Sequence, residues 1–346
     1  MIRICLKAAK FEVVNLTNNA DEGYSKLENA KRENKIRQSR LTNHEINPVF
    51  EVVFNSFPYY STEWGSAYFG DSGKLLSKVK SESIQLIFTS PPYALGREKP
   101  YGNVQQERYV DWFLEFADDL KRILKPDGSL VIDIGGAWIN GYPVKSTYQF
   151  ELLLALSKKF YLAQDFYWWN PARLPSPAEW VNVRRVRAKD AVDTIWWLSK
   201  TQNPKADNRR VLQPYSEHQK RLIKGKVKKT TRPSGHSITD NFATDNGGSI
   251  PSNWLVIANT DSNSYYMRRC RQLGVSPHPA RFPSRLPDFF IKFLTSNPDD
   301  IVLDPFAGSN MTGYVAEKNK RKWISFEIEE KYVINSKLRW REFQSL

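Results

Sequence analysis

The chain has 346 residues, 40% hydrophobic and 25% charged, an ordinary globular composition that argues against wholesale disorder and fits one large core with an insertion or two unequal domains. Lys and Arg outnumber Asp and Glu by 51 to 37, a net charge of +14 that calls for a polyanionic partner, nucleic acid or an anionic membrane. The chain lacks the apolar run of about 18 residues that a membrane span needs, Arg3, Lys7 and Lys10 interrupt any secretory signal, and the two cysteines, Cys5 and Cys270, stand in no metal-ligand or disulfide-scaffold spacing, so a cytoplasmic protein without metal or membrane is expected.

Residues 1–60 are polar and weakly patterned and read as an extension, although 18–40 could form a charged helix. The signal sharpens afterwards. A short strand over 67–69 ends at Gly70-Asp71, and a helix is expected over 74–80. The run 83–88 is continuously apolar, as in a strand buried on both faces of a parallel sheet, and it ends at Thr89-Ser90-Pro91-Pro92-Tyr93. Apolar residues at helical spacing span 109–124; a turn is expected at 125–128 and a second buried strand at 129–134, ending at Gly135-Gly136. A helix over 148–160 follows, then strands over 194–200, 300–305 and 322–328. Strands alternating with helices predict an α/β fold with an open, mainly parallel sheet, whose ligands bind beyond the carboxyl ends of the strands.

The charge is unevenly placed. Residues 200–290 hold sixteen Lys or Arg against six Asp or Glu, +10 of the +14. The same stretch is rich in turn residues (231–235, 245–249), so it reads as a loop-rich basic segment suited to phosphate contacts, or more plainly as a solvated face.

Two constellations carry chemistry. Residues 304–313 place Asp304 at a strand end before a tight loop with Phe306, Gly308, Ser309 and Asn310, and Glu327 ends the next strand about twenty residues on. Small loop residues let a ligand approach the backbone, and an acid at the second strand end can accept from ribose hydroxyls. Alone, the loop is equally an ordinary strand-to-helix turn. Residues 89–93 offer the Ser90 hydroxyl and the Pro91 carbonyl as acceptors, with Pro92 stiffening the turn and Tyr93 presenting a ring. That suits a planar base bearing an amino group, though a rigid Pro-Pro turn explains the residues as well.

Taken together, these motifs resemble those of the amino-group DNA methyltransferases. The catalytic motif precedes the cofactor motif, as in the permuted β class, and 278–291, with His278, Pro279, Ala280 and Phe282, resembles the remaining cofactor motif of that class. Segments 94–103, 165–182, 231–236 and 245–251 resemble its cytosine-N4 members, and the likeness covers about residues 65–343. Asn310 departs from the family's second glycine, but Asn tolerates a left-handed backbone best among non-glycine residues.

The resemblance implies a methyltransferase-type, Rossmann-like sheet with an inserted, loop-rich target-recognition region. The expected organisation is an N-terminal extension at 1–60, a catalytic half at 61–200, the basic recognition region at 201–276 and a cofactor-binding half at 277–346. It implies S-adenosylmethionine as cofactor, bound by Asp71, His278, Pro279, Ala280, Phe282, Asp304, Phe306, Gly308, Ser309, Asn310 and Glu327. It implies catalysis by Ser90, Pro91, Pro92, Tyr93 and Asp133, with Tyr93 stacking on a flipped base and Asp133 either orienting Ser90 or taking the proton; equally, Asp133 could cap the turn at Gly135. Double-stranded DNA is the expected partner. Arg184, Arg185, Lys226, Lys228, Lys229 and Arg232 are phosphate-contact candidates, and His236 is a base-edge candidate or a loop histidine without a role. The function implied is site-specific cytosine-N4 methylation, with CAGCTG as target and its inner cytosine modified, in a type II restriction–modification system whose endonuclease shares the site without a stable complex. Adenine-N6 methylation and a non-catalytic DNA-binding regulator are the alternatives. Cytosine-C5 chemistry is excluded because neither cysteine follows a proline.

Overall fold

A computed structural model of the chain describes residues 52–53, 55–94, 104–225 and 244–340. In chain order, β1 (Tyr60–Ser61) and β2 (Gly65–Phe69) lead into α1 (Ser72–Leu76), β3 (Ile84–Thr89), α2 (Tyr109–Ile123), β4 (Leu124–Ile134), α3 (Tyr148–Leu156), β5 (Tyr161–Trp169) and β6 (Val192–Ser199). Then come α4 (Glu217–Ile223), β7 (Trp254–Val256), α5 (Tyr265–Gln272), α6 (Arg285–Leu294), β8 (Ile301–Asp304), α7 (Met311–Lys318), β9 (Lys322–Glu327) and α8 (Glu330–Ser336). The nine strands form one sheet in the order β1-β2-β9-β8-β3-β4-β6-β5-β7. Five of its eight pairings are parallel, and β2, β9, β8, β3 and β4 form an unbroken parallel block.

The two-residue side-chain period of the strands divides the core between the faces. Ile87, Ile132, Trp196, Leu303 and Phe326 pack with Leu76, Phe113, Leu120 and Leu152 of α1, α2 and α3. Phe88, Val131, Trp197, Val302 and Trp323 pack with Phe289, Phe290 and Val315 of α6 and α7. A sheet covered on both faces explains why β3 and β8 are buried at every position.

Local details differ from expectation. α1 is shorter than the 74–80 helix and starts earlier, because the Asp71 carboxylate caps it by accepting from the Lys74 N–H at 3.0 Å. The turn expected at 125–128 is an excursion inside β4: pairing jumps from Ile84 opposite Leu124 to Leu86 opposite Ser129. A Cβ on Gly128 would stand 3.0 Å from the Lys125 backbone, so the excursion is tight. β5 is an additional strand that pairs antiparallel to β6, itself antiparallel to β4. β7, from within 201–276, extends this edge of the sheet. The 18–40 segment lies outside the described residues. No helix among the described residues is long and apolar enough to cross a membrane, and no cluster of His, Cys, Asp or Glu there could hold a metal.

Candidate active site

The carboxyl ends of the parallel strands open on a cavity of about 590 Å³. Asp71 follows β2, Ser90 to Tyr93 follow β3, Asp133 lies in β4, Pro305 to Ser309 follow β8, and Glu327 ends β9; all line the cavity. The segment before α6 supplies His278, Pro279, Ala280 and Phe282. Trp112 and Phe116 of α2 flank Phe306, with ring centroids 5.8 and 5.4 Å away.

At the glycine-loop end, Glu327 accepts from the Gly308 N–H at 2.7 Å and the Glu329 N–H at 2.8 Å. Burial raises its pKa to about 7. Gly308 has φ +53, and a Cβ there would meet the His278 ring at 3.2 Å, so backbone conformation and space both call for glycine. The His278 Nδ1–H donates to the Ala280 carbonyl at 2.5 Å, and burial lowers the ring's pKa to about 4, which keeps it neutral. Asn310 keeps the loop's left-handed turn at φ 54 and caps α7 by accepting from the Gly313 N–H at 3.1 Å. Asn310 and Asp304 lie behind the lining. The Asp304 carboxylate accepts from Thr89 at 2.8 Å, Thr312 at 2.6 Å and the Phe306 N–H at 3.1 Å, tying β3, β8 and α7 together.

The other end is a polar chain. The Ser90 hydroxyl donates to the Tyr93 hydroxyl at 3.2 Å, which donates to Asp133 Oδ2 at 3.3 Å. Asp133 Oδ1 is buried without a hydrogen-bond partner. Burial and then the Asp193 carboxylate raise the Asp133 pKa well above the usual carboxylate range, against Arg173, Tyr93 and Ser90. The Tyr93 ring packs on Gly135, where a Cβ would come within 2.5 Å of it.

Sequence reasoning missed Arg173, Asp193, Trp168 and Asn259 in the lining. Arg173 forks Asp193 with bonds of 2.9 and 2.5 Å. The available signal was Asp193 at the head of an apolar strand: because β6 runs antiparallel to β4, its start lies beside the end of β4, with Thr194 opposite Ile134.

The basic candidates are not brought to the cavity. Arg184 is exposed, lies over the Trp180 ring at 5.0 Å and pairs with Glu179 at 3.0 Å. Arg185 is an exposed residue at φ 56. Lys226, Lys228, Lys229, Arg232 and His236 lie outside the described residues.

Comparison with known proteins supplies a context for this geometry. The family model for DNA methylases acting at N6 or N4 matches residues 84–337. The type II methyltransferase M.PvuII of Proteus hauseri is 53% identical over 292 residues, 83% of this chain and 87% of that protein. M.BamHI of Bacillus amyloliquefaciens is 28% identical over 322 residues, 90% of this chain and 66% of that protein. A solved structure described as PvuII DNA methyltransferase (cytosine-N4-specific) superposes with a TM-score of 0.69 at 47% identity, covering 84% of this chain and 91% of that one.

Proposed function

This chain belongs to the N6/N4 DNA methylase family, and on that premise we propose that it methylates cytosine N4 in duplex DNA, with S-adenosylmethionine as donor, as the modification enzyme of a type II restriction–modification system. One observation carries the reading: a single cavity joins the Ser90–Tyr93 and Asp133 acceptors to the loop of Phe306, Gly308 and Glu327. The 47% identity to a solved methyltransferase described as cytosine-N4-specific favours cytosine over adenine, and we propose CAGCTG, with its inner cytosine modified, as the target.

The residues present fit the cofactor. The glycine at 308 lets the loop pack against the His278 ring at the cavity wall, Phe306 offers a ring, and the Glu327 carboxylate lines the cavity as an acceptor for ribose hydroxyls. Asp71 and the segment from His278 to Phe282 would complete its enclosure, with Asp304, Ser309 and Asn310 shaping the loop. Bound there, S-adenosylmethionine supplies an electrophilic methyl carbon, whose bond to sulfur breaks with the electron pair leaving on sulfur.

The chain's own residues do the rest. The amino lone pair of cytosine is delocalised into the ring. Ser90 and the Pro91 carbonyl accept the two amino hydrogens, which draws the nitrogen toward a tetrahedral geometry and localises that pair. Pro92 fixes the turn. Tyr93 faces the base while its hydroxyl holds Ser90 and Asp133 in one chain. Positioning for direct displacement can supply about 7 kcal/mol or more of the barrier. The nitrogen becomes cationic as the bond forms, and Asp133 takes its proton. Only a base turned out of the helix can reach this cavity.

Arg184, Arg185, Lys226, Lys228, Lys229 and Arg232 would meet phosphates and His236 a base edge, in a recognition region at 201–276 and its borders, carried by a sheet built from 61–200 and 277–346. Incubation with labelled cofactor and duplex DNA, followed by nucleoside digestion, tests the proposal. N4-methylcytosine is expected. N6-methyladenine overturns the choice of base, and DNA binding without label transfer favours a non-catalytic regulator.

A further inference from the structure

Resting on the amino-methyltransferase reading, we infer that Arg173 and Asp193 form a positioning pair for proton transfer, an ion pair in the cavity wall that sets the charge state of Asp133 as acceptor of the amino proton. Asp193 is 3% exposed, yet it lines the cavity with Asp133 and Arg173. A Cβ on Gly135 would meet Asp193 Oδ1 at 3.0 Å and the Tyr93 ring at 2.5 Å, so no side chain could stand between the pair and the polar chain. Asp193 is buried and Arg173 half-buried, and an ion pair so placed is seldom the most stable way to fill such a wall, since an apolar pair of similar volume often packs as well or better. Its charge is therefore informative.

Two carboxylates, Asp133 and Asp193, feel the charge of one guanidinium. Arg173 commits its fork to Asp193. Asp133 accepts from Tyr93 at 3.3 Å and keeps Oδ1 without a partner. The groups facing Asp133 come from every neighbouring element: Ser90 and Tyr93 after β3, Arg173 after β5, Asp193 in β6, and Tyr148 in α3, whose hydroxyl donates to the Gly135 carbonyl. Lys145 lies over Gly136 but directs its ammonium to the Phe150 ring at 5.5 Å. With Arg173 neutralised by Asp193, the net charge around Asp133 favours proton uptake. As the amino nitrogen gains its methyl group, the surplus proton passes to the Asp133 carboxylate, leaving a neutral carboxyl group and a neutral methylamino base. Asp133 then returns the proton to solvent.

The test is a carboxyl-carbon NMR titration of the free full-length protein labelled at aspartate, with Asp133→Asn to assign the resonance, beside the pH profile of kcat. Asp193→Asn removes an anion and frees the Arg173 charge, so the Asp133 midpoint should fall by about one pH unit or more. Arg173→Gln leaves Asp193 uncompensated and should raise it by a similar amount, and Arg173→Lys should restore it. The acidic limb of kcat should follow each midpoint while the KM for S-adenosylmethionine stays put. Midpoints that coincide in all variants, or move the opposite way, overturn the inference; so does a kcat limb that ignores them. If Arg173→Gln does not fold, the near-isosteric Asp193→Asn still decides. A wild-type protein that transfers no methyl group fails the methyltransferase reading itself, whereas NMR shifts without a matching kcat limb in an active enzyme fail the inference alone.

Discussion

Asp133 lies one residue before the end of β4 and Asp304 ends β8, two parallel strands of the same sheet, and both are 1% exposed. Their surroundings are opposite. Asp304 receives two hydroxyls and a backbone N–H, and its pKa, raised by burial, reaches only about 6. Asp133 receives one bond of 3.3 Å, leaves an oxygen without a partner, and is pushed well above the carboxylate range by burial and Asp193. A saturated buried carboxylate holds structure together. One left hungry in a cavity wall is available for chemistry.

Breaking each carboxylate should therefore have different consequences. Asp133→Asn should lower turnover by about 10²- to 10⁴-fold, the range of a lost acid–base group. Its thermal midpoint should stay level or rise, because a buried group whose ionised form burial and Asp193 disfavour is replaced by a neutral amide. A melt that drops by several degrees would show Asp133 to be structural. Asp304→Ala should do the reverse: Thr89, Thr312 and Phe306 lose their acceptor, costing about 3 kcal/mol of stability. Denaturant unfolding checks this, and an unchanged midpoint would dissolve the contrast.

Ser90→Ala sharpens the comparison at smaller scale. It removes one acceptor for the amino group and one donor to Tyr93. Turnover should fall about 10- to 100-fold, as expected for a single hydrogen-bonding group, while cofactor affinity is kept. Weakened cofactor binding in this variant would place Ser90 at the other end of the cavity.

Much of this layout is legible in the chain itself. Apolar runs reveal β3, the second half of β4 and β8 because strands buried on both faces need them. Polar residues just beyond those runs mark the cavity rim, and Asn310 keeps its left-handed turn as its residue type allows. β5 escapes because Gln164 and Asp165 interrupt its apolar residues and its first four positions are exposed. Asp193 and Arg173 escape for a different reason. They become neighbours of Asp133 only through the antiparallel turn of β6 onto β4, a pairing that local pattern does not encode. The role of Asp304 is likewise hidden, since its partners Thr89 and Thr312 come from β3 and α7.

Glu327 stands between the two aspartates and gives the finest test. Like Asp304 it is bonded through both oxygens, here to the Gly308 and Glu329 N–H groups; like Asp133 it faces the cavity. Burial raises its pKa from 4.5 to about 7. Below that pH the folded protein holds a proton on Glu327, and above it the carboxylate is ionised and accepts more strongly from ribose hydroxyls. S-adenosylhomocysteine should therefore bind several-fold, about 3- to 10-fold, more tightly at pH 8 than at pH 6. In Glu327→Gln affinity should be weaker, and the pH dependence should flatten because position 327 no longer titrates. Calorimetry at both pH values separates the cases. If the variant keeps the wild-type slope, the titrating group lies elsewhere, and Glu327 belongs with Asp304 as a brace of the loop.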